Sequence, residues 1–491
     1  MPVSHRRLPA RAAAVVAVAG VALAASALPT HATGGGGTAD NGFSTPLQLP
    51  DSFAADEPSM AIGNDGRIYV TAIQQILNTT NSTTDTVTGS PLWRSGDGGQ
   101  SFQGPVRTFG NVRHGDDTDV AVDTAGNVFQ TDLWIANTAM AVSTDGGQSF
   151  LGNEVANPAV LDDRPWLAYS AHDNILYQYY NGSDALRVAH TAPLVTPQAA
   201  LAFPVDLPVA TQCLPVQSTC TTAGLDKHCF CPPGGIAVDQ QTGEVYVTYG
   251  SDNGVVVASS TDQGLHWNRV AIPGTGSLGD GWTVTYQFQP VKVDSAGTVL
   301  VAWAEAQNPT LDSNGNVLAD GVALRFSRST DHGATWSTPV TVSTTTGTNI
   351  YPALAVGAPG TAYVGWYGTA ETNDPGDVSA TASWDLMVAS TTDALDATPA
   401  FTTAVAVHGI HSGCIGTLAS SGCASSINGS GLGDFFEMAT APDGTLGIAY
   451  VVGTMGLTTS TVGVPTPIGP VGTTDSATFP DSNVYYTQKH P

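Results

Sequence analysis

The sequence predicts an all-β protein, a β-propeller, on three observations. Four copies of the pattern Ser-x-Asp-x-Gly-x-x-aromatic recur, at residues 95–102, 143–150, 260–267 and 329–336. Seven longer stretches each combine an apolar strand, an Asp/Gly turn and a second strand rich in aromatic and β-branched residues. Only 11% of the residues are charged, as expected of a turn-rich β protein. Repeats of about four short strands each are typical of propellers.

The eight-residue pattern is that of a tight turn between two strands. Its aspartate can accept hydrogen bonds from N–H groups of the turn, and its glycine can adopt a conformation closed to other residues. Its aromatic side chain packs beneath the turn. A structural role, not a catalytic one, is therefore predicted for four aspartates. They are Asp97, Asp145, Asp262 and Asp331.

The seven longer stretches set the number of predicted blades. They are residues 57–72, 117–132, 164–179, 234–249, 289–304, 351–366 and 434–449. Seven blades are favoured, since the alternative of six would discard one hairpin. The last stretch is followed by only one further strand, whereas the segment at 40–50 has the character of an outer strand. The N-terminal strand is therefore expected to complete the last blade and close the ring, which removes an exposed sheet edge.

The N-terminus predicts secretion. Three arginines precede a small-apolar run that is too short and too alanine-rich for a good membrane span, and small residues lead up to Ala32. The predicted parts are a signal peptide at 1–32, a flexible leader at 33–42 and a single propeller domain at 43–491. The protein is therefore expected outside the cell, as a monomer.

The charge of the chain restricts its partners. There are 41 acidic side chains against 15 basic ones, a formal net charge of −26. Such a surface repels nucleic acids and anionic membranes, so neither is an expected partner. It also gives no general attraction for an anionic substrate, which would need a local cluster of arginines.

Six cysteines, an even number, suit disulfides in an oxidising compartment. Cys414 and Cys423 flank a short Gly/Ser loop and are expected to pair. The other four occupy one long loop, and their pairing order stays open. They are Cys213, Cys220, Cys229 and Cys231. A four-cysteine zinc site is the alternative interpretation of this loop.

Candidate functional residues begin the innermost strands of the predicted blades. Long loops gather on this face, opposite the short turns, and such loops are where binding and catalysis usually occur. Acidic residues begin the innermost strands of four neighbouring blades. The candidate catalytic residues are Glu57, Asp117, Asp163 and Asp434. The candidate substrate-binding residues are Arg164, Tyr351, Arg113 and Gln289.

Two interpretations of the acidic cluster stay open. Carboxylates crowded at one pocket either raise one another's pKa, which suits general acid–base catalysis, or bind a cation. The structural interpretation is that Asp and Glu at strand starts hydrogen-bond the neighbouring blade. No motif requires a cofactor, and no metal ligands are assigned. The sequence nevertheless allows for Ca²⁺, because acidic loops at 312–320 and 371–377 carry several oxygen ligands.

The eight-residue pattern resembles the Asp box, or BNR repeat, of the sialidase-like β-propeller superfamily, and this resemblance extends over essentially the whole predicted domain. Sialidases carry an Arg-Ile-Pro motif on the first inner strand, three arginines that hold the substrate carboxylate, a Tyr–Glu nucleophile pair and an Asp acid/base. Here Glu57-Pro58-Ser59 stands where that motif would fall, and Arg164-Pro165-Trp166 resembles it but begins the third blade. The full arginine triad is missing from its expected places.

These observations predict a secreted carbohydrate-active enzyme. In this hypothesis an axial carboxylate pair hydrolyses a glycosidic bond, while Arg164 and Tyr351 orient the sugar. The alternative is a non-catalytic extracellular propeller that binds a glycan or a protein. A true exo-α-sialidase is a narrower alternative, which would need a third arginine beside Arg113 and Arg164.

Overall fold

Antiparallel β-strands form almost all of the regular structure, as the sequence predicts. The computed structural model describes residues 42–74, 90–109, 117–134, 137–157, 162–213, 227–229, 233–251, 254–275, 277–279, 282–283, 288–311, 317–343, 347–415, 432–462 and 475–491. The helices described are two short 3₁₀ turns, Pro197–Leu201 and Pro375–Asp377. No helical segment within these ranges has the length and apolar character needed to cross a bilayer.

The described strands can be grouped, in chain order, into sets of about four, which we number repeats 1 to 7. Repeats 1, 2, 4 and 7 are separate four-stranded sheets, repeat 3 has a fifth strand, and repeats 5 and 6 belong to one eight-stranded sheet. Repeat 1 comprises Ala55–Ile62, Ile68–Gln74, Leu92–Ser95 and Gln103–Val106. Repeat 2 comprises Thr118–Val122, Val128–Trp134, Asn137–Ser143 and Leu151–Asn153. Repeat 3 comprises Asp163–Ser170, Ile175–Asn181, Ala185–His190 and Val205–Cys213, with Lys227–Cys229 added at its edge. Repeat 4 comprises Gly235–Val238, Val245–Ser251, Gly254–Ser260 and Asn268–Ala271.

The remaining repeats follow the same plan. Repeat 5 comprises Val291–Val293, Val299–Ala306, Val322–Ser329 and Val340–Thr341. Repeat 6 comprises Thr348–Val356, Ala362–Thr369, Ser383–Thr391 and Thr402–Ser412, and one parallel pair, Val322 with Thr348, joins it to repeat 5. Repeat 7 comprises Glu437–Thr440, Leu446–Val462, Asp475–Lys489 and Leu47–Gln48. Two small hairpins lie in connections, Ser277–Gly279 with Trp282–Thr283 and Thr310–Leu311 with Val317–Leu318.

The fourth strand of repeat 7 comes from the N-terminal end of the described chain. Leu47 pairs with Tyr486 in antiparallel register. The pairing continues on both sides, because Ser44 donates its N–H to the carbonyl of Gln488 at 2.8 Å and Leu49 donates to Val484 at 2.9 Å. The outer edge of the last repeat is therefore covered by a segment more than four hundred residues away in sequence.

The first strand of each repeat is its inner strand. Inner strands of consecutive repeats lie side by side, and that of repeat 7 lies beside that of repeat 1. Carboxylates join them across repeat boundaries. Asp119 accepts the N–H of Leu167 at 2.6 Å, and Glu437 accepts the N–H of Met60 at 2.8 Å. The structural interpretation of acidic residues near strand starts therefore holds for these two side chains.

The core lies between the repeats rather than inside any one of them. Each sheet packs a face of alternating apolar side chains against the next sheet. Tyr246 of repeat 4 shares a cluster with Trp303 of repeat 5, and Val70 of repeat 1 shares one with Tyr486 of repeat 7. Repeats thus bury their apolar faces only by stacking on their neighbours.

The eight-residue turns close with hydrogen bonds to their aspartates. In the first turn, Asp97 accepts the N–H of Ser101 at 3.0 Å, and the hydroxyl of Ser95 donates to Asp97 at 2.7 Å. The side chain and the backbone of Ser101 both donate, which lowers the pKa of Asp97 to about 2. Equivalent bonds are accepted by Asp145, Asp262 and Asp331. The turn aspartates are therefore occupied with their own backbone.

The cysteines are only partly described. Cys213 and Cys229 are register partners in neighbouring parallel strands, and Cys414 is disulfide-bonded. Cys220, Cys231 and Cys423 lie outside the described residues. The pairing order within the long loop therefore stays a prediction.

We expect Asp145→Ala to lower the free energy of unfolding by about 1–2 kcal/mol, because it removes bonds from Ser149 and Ser143 and leaves turn donors unpaired. Urea unfolding measures the change. The matched control is Asp396→Ala, since Asp396 is exposed and its side chain accepts no hydrogen bond from the described chain. Equal effects of the two substitutions would contradict a structural role for the turn aspartate.

Candidate active site

Three predicted site residues share one backbone geometry at the starts of inner strands. Glu57, Arg164 and Tyr351 each precede a proline, each lies at a register shift of its hairpin, and their φ angles are 51°, 49° and 55°. Phe288, just before the inner strand of repeat 5, has a φ of 62°. Left-handed backbone costs a non-glycine residue about 1–3 kcal/mol and is concentrated at functional sites. The bulges redirect these side chains from the sheet faces into one cluster.

Arg164 lies at the centre of this cluster and is only 2% exposed. Its Cζ atom lies 3.8 Å from the ring centroid of Trp166 and 3.5 Å from that of Phe435, with Phe288 at 5.7 Å. The three rings pack edge to face, with centroids 5.3–5.7 Å apart. Cation–π contacts of a desolvated guanidinium are worth about 2 kcal/mol or more. We call Trp166, Phe288 and Phe435 the aromatic cage.

The same arginine is bonded to repeat 2. Its backbone N–H donates to Asp117 Oδ2 at 3.2 Å, and its Nη1 donates to the carbonyl of Thr118 at 3.3 Å. Nη1 also lies 3.9 Å from Asp117 Oδ1, an ion pair. The Nε and Nη2 atoms have no hydrogen-bond partner among the described residues. The charge of Arg164 is therefore compensated mainly by nearby carboxyl groups.

Two pairs of carboxyl groups meet beside this arginine. Asp117 and Asp163 are hydrogen-bonded to each other and both reach solvent, so we call them the accessible pair. Glu57 and Asp434 are also hydrogen-bonded to each other, but they are 6% and 9% exposed, and we call them the buried pair. The φ of Gly433 is 66°, and a Cβ at this position would lie 2.2 Å from Glu57 Cγ. Glycine is thus required for the close approach of repeats 1 and 7.

Asp434, Asp163 and Glu57 have raised pKa values. Burial, followed by the charge of Asp117, raises the pKa of Asp434 to about 7. Although Asp163 reaches solvent, the protein around it withdraws much of it from bulk water, and this together with Asp117 raises its pKa to about 7. Burial and the charge of Asp434 raise the pKa of Glu57, while Arg164 opposes all three shifts. Protonated and ionised carboxyls therefore coexist at the site near neutral pH.

The predicted substrate-binding residues are placed differently from one another. Tyr351 is fully buried beside the buried pair, and burial followed by the charges of Asp434 and Glu57 raises its pKa. Gln289 is also fully buried, between repeats 4 and 5. Its main-chain carbonyl accepts a hydrogen bond from the Thr248 hydroxyl at 2.5 Å. Arg113 lies outside the described residues. The structure therefore brings Tyr351 and Arg164 to the acidic cluster.

Sequence reasoning missed the aromatic cage. Its only signal was Trp166, two residues after Arg164, since Phe288 and Phe435 stand in different repeats. The three cage residues also line a cavity of about 50 Å³, together with Asp119, Glu437 and Lys292 among others. Burial, followed by the charge of Glu437, raises the pKa of Asp119 to about 7.

Within the described ranges, no group of three or more Asp, Glu, His or Cys side chains is arranged to hold a metal ion. Of the predicted acidic loop at 312–320, residues 312–316 lie outside the described residues, and Asp320 accepts a hydrogen bond from the Asn308 side chain at 3.1 Å. In the second loop, Glu371 accepts hydrogen bonds from Ser379, and Asp374 accepts the N–H of Gly376. These bonds make that loop a closed turn.

No protein-family model matches this chain, and no curated protein matches it. Similar solved structures include a protein of unknown function from Dyadobacter fermentans, with 10% identity, 92% of this chain and 100% of that chain covered, and a TM-score of 0.43. An α-L-arabinofuranosidase from Fusarium graminearum has 12% identity, coverages of 91% and 98%, and a TM-score of 0.41. The phage phi92 endosialidase has 10% identity, coverages of 92% and 69%, and a TM-score of 0.43. At these values the comparisons do not carry an assignment of the site.

We expect Arg164→Ala to lower the free energy of unfolding by about 3–5 kcal/mol, because it leaves buried carboxyls without their counter-charge and opens the cage. Urea unfolding at neutral pH measures this. Arg67→Ala is the matched control and is expected to change stability by about 1 kcal/mol or less, since Arg67 makes an exposed ion pair with Asp65. A similarly small effect at Arg164 would contradict its structural role.

The pKa shifts predict a stability maximum in mild acid. Asp434 and Asp119 bind their protons more tightly in the folded protein than in the unfolded one. Their contribution to the free energy of unfolding is therefore full below pH ~4 and is lost as the pH rises to about 7. Asp97 contributes above pH ~4 and loses its contribution as the pH falls to about 2. Urea unfolding from pH 3 to pH 8 tests this. Asp434→Asn should flatten the decline between about pH 4 and 7, and an unchanged decline would count against the assignment.

Proposed function

We propose that this chain is a secreted carbohydrate-active propeller that hydrolyses glycosidic bonds with carboxyl groups at its axis. The observation that carries the proposal is the accessible pair, Asp117 and Asp163, hydrogen-bonded to each other next to the buried Arg164. Glycoside hydrolysis requires one carboxyl that is protonated and one that is ionised at the working pH. In this proposal Asp163 supplies the proton and Asp117 the negative charge, and a substrate entering between them would open their hydrogen bond, since the two carboxyls of glycosidases stand about 5–9.5 Å apart.

Asp163 is the general acid in this proposal. Its pKa of about 7 keeps a proton available near neutrality, and its exposure allows it to reach a glycosidic oxygen. Asp117 is the ionised partner, because it forms the ion pair with Arg164 and accepts that residue's backbone N–H. In the transition state its negative charge would stabilise the positive charge that develops on the sugar ring.

The buried residues act through the accessible pair. Arg164 and Tyr351 are 2% and 0% exposed, so we assign them the role of positioning and charging the carboxyls rather than contacting a sugar. The buried pair, Glu57 and Asp434, also has raised pKa values, so in this proposal it retains protons of its own next to the accessible pair. Substrate contacts would then come from groups nearer the entrance.

We also propose that the seven repeats close into a seven-bladed propeller. The support is the side-by-side order of the inner strands, including repeat 7 beside repeat 1, and the bond from Met60 to Glu437 across that boundary. Secretion through the signal peptide at 1–32 remains part of the proposal, as do a carbohydrate partner and a monomeric state. The disulfide at Cys414 is consistent with an oxidising compartment.

A non-catalytic binding propeller is the second candidate. It is favoured by the deep burial of Glu57, Asp434 and Arg164, which suits a structural cluster as well as a catalytic one. This candidate predicts saturable glycan or protein binding without turnover. A true sialidase is the third candidate, and a fluorogenic sialoside assay tests it directly.

We expect Asp163→Asn to reduce turnover by about 10²–10⁴-fold, since it removes the general acid. The purified protein would be assayed against polysaccharides and aryl glycosides, with Asp396→Asn as an exposed control that retains activity. Activity of the wild type should fall as the pH rises above about 7, because Asp163 then loses its proton. Full activity of Asp163→Asn, or no hydrolysis across the panel, would contradict the proposal, and saturable binding in the latter case would support the second candidate.

A further inference from the structure

A cavity of about 600 Å³ lies between repeats 7 and 1, away from the candidate active site. The hairpin turns of both repeats line it, together with the eight-residue turn of repeat 1 and the C-terminal end of the last strand. Small-molecule sites in proteins have volumes of about 300–1,000 Å³, so this space is large enough for a ligand. None of the candidate site residues that the structure describes borders it.

The equivalent boundary between repeats 1 and 2 is filled by two arginines. A Cβ built on Gly146, in the eight-residue turn of repeat 2, would lie 3.4 Å from Arg67 Nη1. Arg94 donates from Nη1 to the carbonyl of Gly146 at 3.1 Å. Between repeats 4 and 5 the contact is again made by long side chains, since Glu244 Oε2 lies 3.1 Å from His332 Nδ1 of the next eight-residue turn. At both boundaries, side chains of one repeat thus reach the turn of the following repeat.

The strand register of repeat 7 places shorter side chains at both arginine positions. Equivalent residue pairs follow the hairpin turns of repeats 7 and 1. These pairs are Leu446 with Lys489 and Ile68 with Ser95, respectively. Thr445 therefore stands in the position of Arg67, and Gln488 stands in the position of Arg94. A Cβ built on Gly98, the equivalent turn glycine, would meet no atom of the described residues within 4 Å. The cavity thus occupies the place that the arginine side chains take up one boundary further on.

The floor of the cavity is held by hydrogen bonds. Thr445, Tyr486 and Gln488 are 6%, 1% and 7% exposed. The Tyr486 hydroxyl donates to Gln488 Oε1 at 3.0 Å, and Gln488 Nε2 lies 3.4 Å from His490 Nε2. His490 Nδ1 lies 3.0 Å from the Thr445 hydroxyl. These bonds fix the floor, so a ligand would not have to order it on binding.

Negative charge exceeds positive charge around the cavity. Hydrogen bonds donated within their turns lower the pKa of Asp97 to about 2 and also lower that of Asp443, so both carboxyls are ionised at neutral pH. A third carboxyl, that of Asp65, forms an ion pair with Arg67 at 3.0 Å. His490 is the one basic side chain among the described residues that line the cavity. This balance favours a cationic ligand.

We propose that this cavity binds a guanidinium group, of the kind that a peptide carries on an arginine side chain. The bound group would take the place that Arg67 and Arg94 occupy at the neighbouring boundary, facing the turn at Gly98 and the carboxylate of Asp443. A guanidinium offers five N–H donors in a fixed planar fork, which suits carbonyl and carboxylate acceptors together. The proposal does not depend on the proposed enzymatic activity.

Saturation-transfer NMR with the full chain and N-acetyl-arginine amide tests this site. We expect a Kd of about 1 mM at low salt, a value ordinary for so small a ligand. N-acetyl-citrulline amide has nearly the same shape without the charge and should bind at least about tenfold more weakly. N-acetyl-lysine amide carries the charge without the fork and should also bind more weakly. Absence of binding by the arginine probe, or equal binding of either comparison probe, would overturn the proposal.

Thr445→Arg places an arginine of the chain itself in the cavity, as Arg67 does at the next boundary. This variant should fold, as checked by circular dichroism, and should lose arginine-probe binding by about tenfold or more. Asp443→Asn keeps an acceptor for the turn and should weaken binding by several fold. Its matched control is Asp396→Asn, which changes the net charge equally and should bind as the wild type does. Wild-type affinity in a folded Thr445→Arg, or equal affinities of the two Asp→Asn variants, would contradict the site. If Thr445→Arg does not fold, the two Asp→Asn variants decide.

Discussion

The burial of one guanidinium, that of Arg164, is the interaction on which the candidate site depends. It joins repeat 3 to Asp117 and Thr118 of repeat 2, and it stacks on Phe435, which lies two residues before the inner strand of repeat 7. A charge that is 2% exposed needs compensation, which here comes from carboxyl groups. Because there are more carboxyls than arginines at this place and arginine does not release its proton, the carboxyls keep some of their own protons. Arg164 itself opposes the rise of these pKa values, whose causes are burial and the mutual repulsion of the carboxyls.

A second constraint places the repeats around this centre. Repeats 1, 2 and 7 carry polar side chains at equivalent positions of their inner strands, three residues before the last paired residue ahead of the hairpin turn. These side chains are Ser59, Asp119 and Glu437. Each bonds to the backbone of the following repeat, Ser59 by donating to a carbonyl at 3.0 Å and the two acids by accepting N–H groups. Two positions earlier, the chain bulges and Glu57 has a left-handed backbone. The strain at Glu57 is thus held by well-bonded strands on either side, which suits a preorganised site.

Much of the fold could be predicted from the sequence. Strand–turn–strand patterns have a period of two and turn residues at set places, so antiparallel strand pairs stand at all the stretches singled out by their sequence. The turn aspartates are equally local, because Asp97 bonds to a serine four residues on. The meeting of Asp117 with Asp163 is less local, and only the idea of a common axis made it predictable. The cage escaped prediction, because its contacts depend on register and burial between separate repeats.

The sequence by itself determined the all-β class, the positions of the hairpins and the acidic character of the inner strand starts. These properties depend on side chains within a few residues of one another. Tertiary structure decided which acids share protons, which ones join neighbouring repeats and which arginine is buried among them. The reason is physical: the pKa of a carboxyl depends on desolvation and on charges within a few ångströms, and these neighbours come from repeats far apart in the chain. Asp117 and Asp119 show the difference, since two residues apart in sequence they lie near different acids, Asp163 of repeat 3 and Glu437 of repeat 7, respectively.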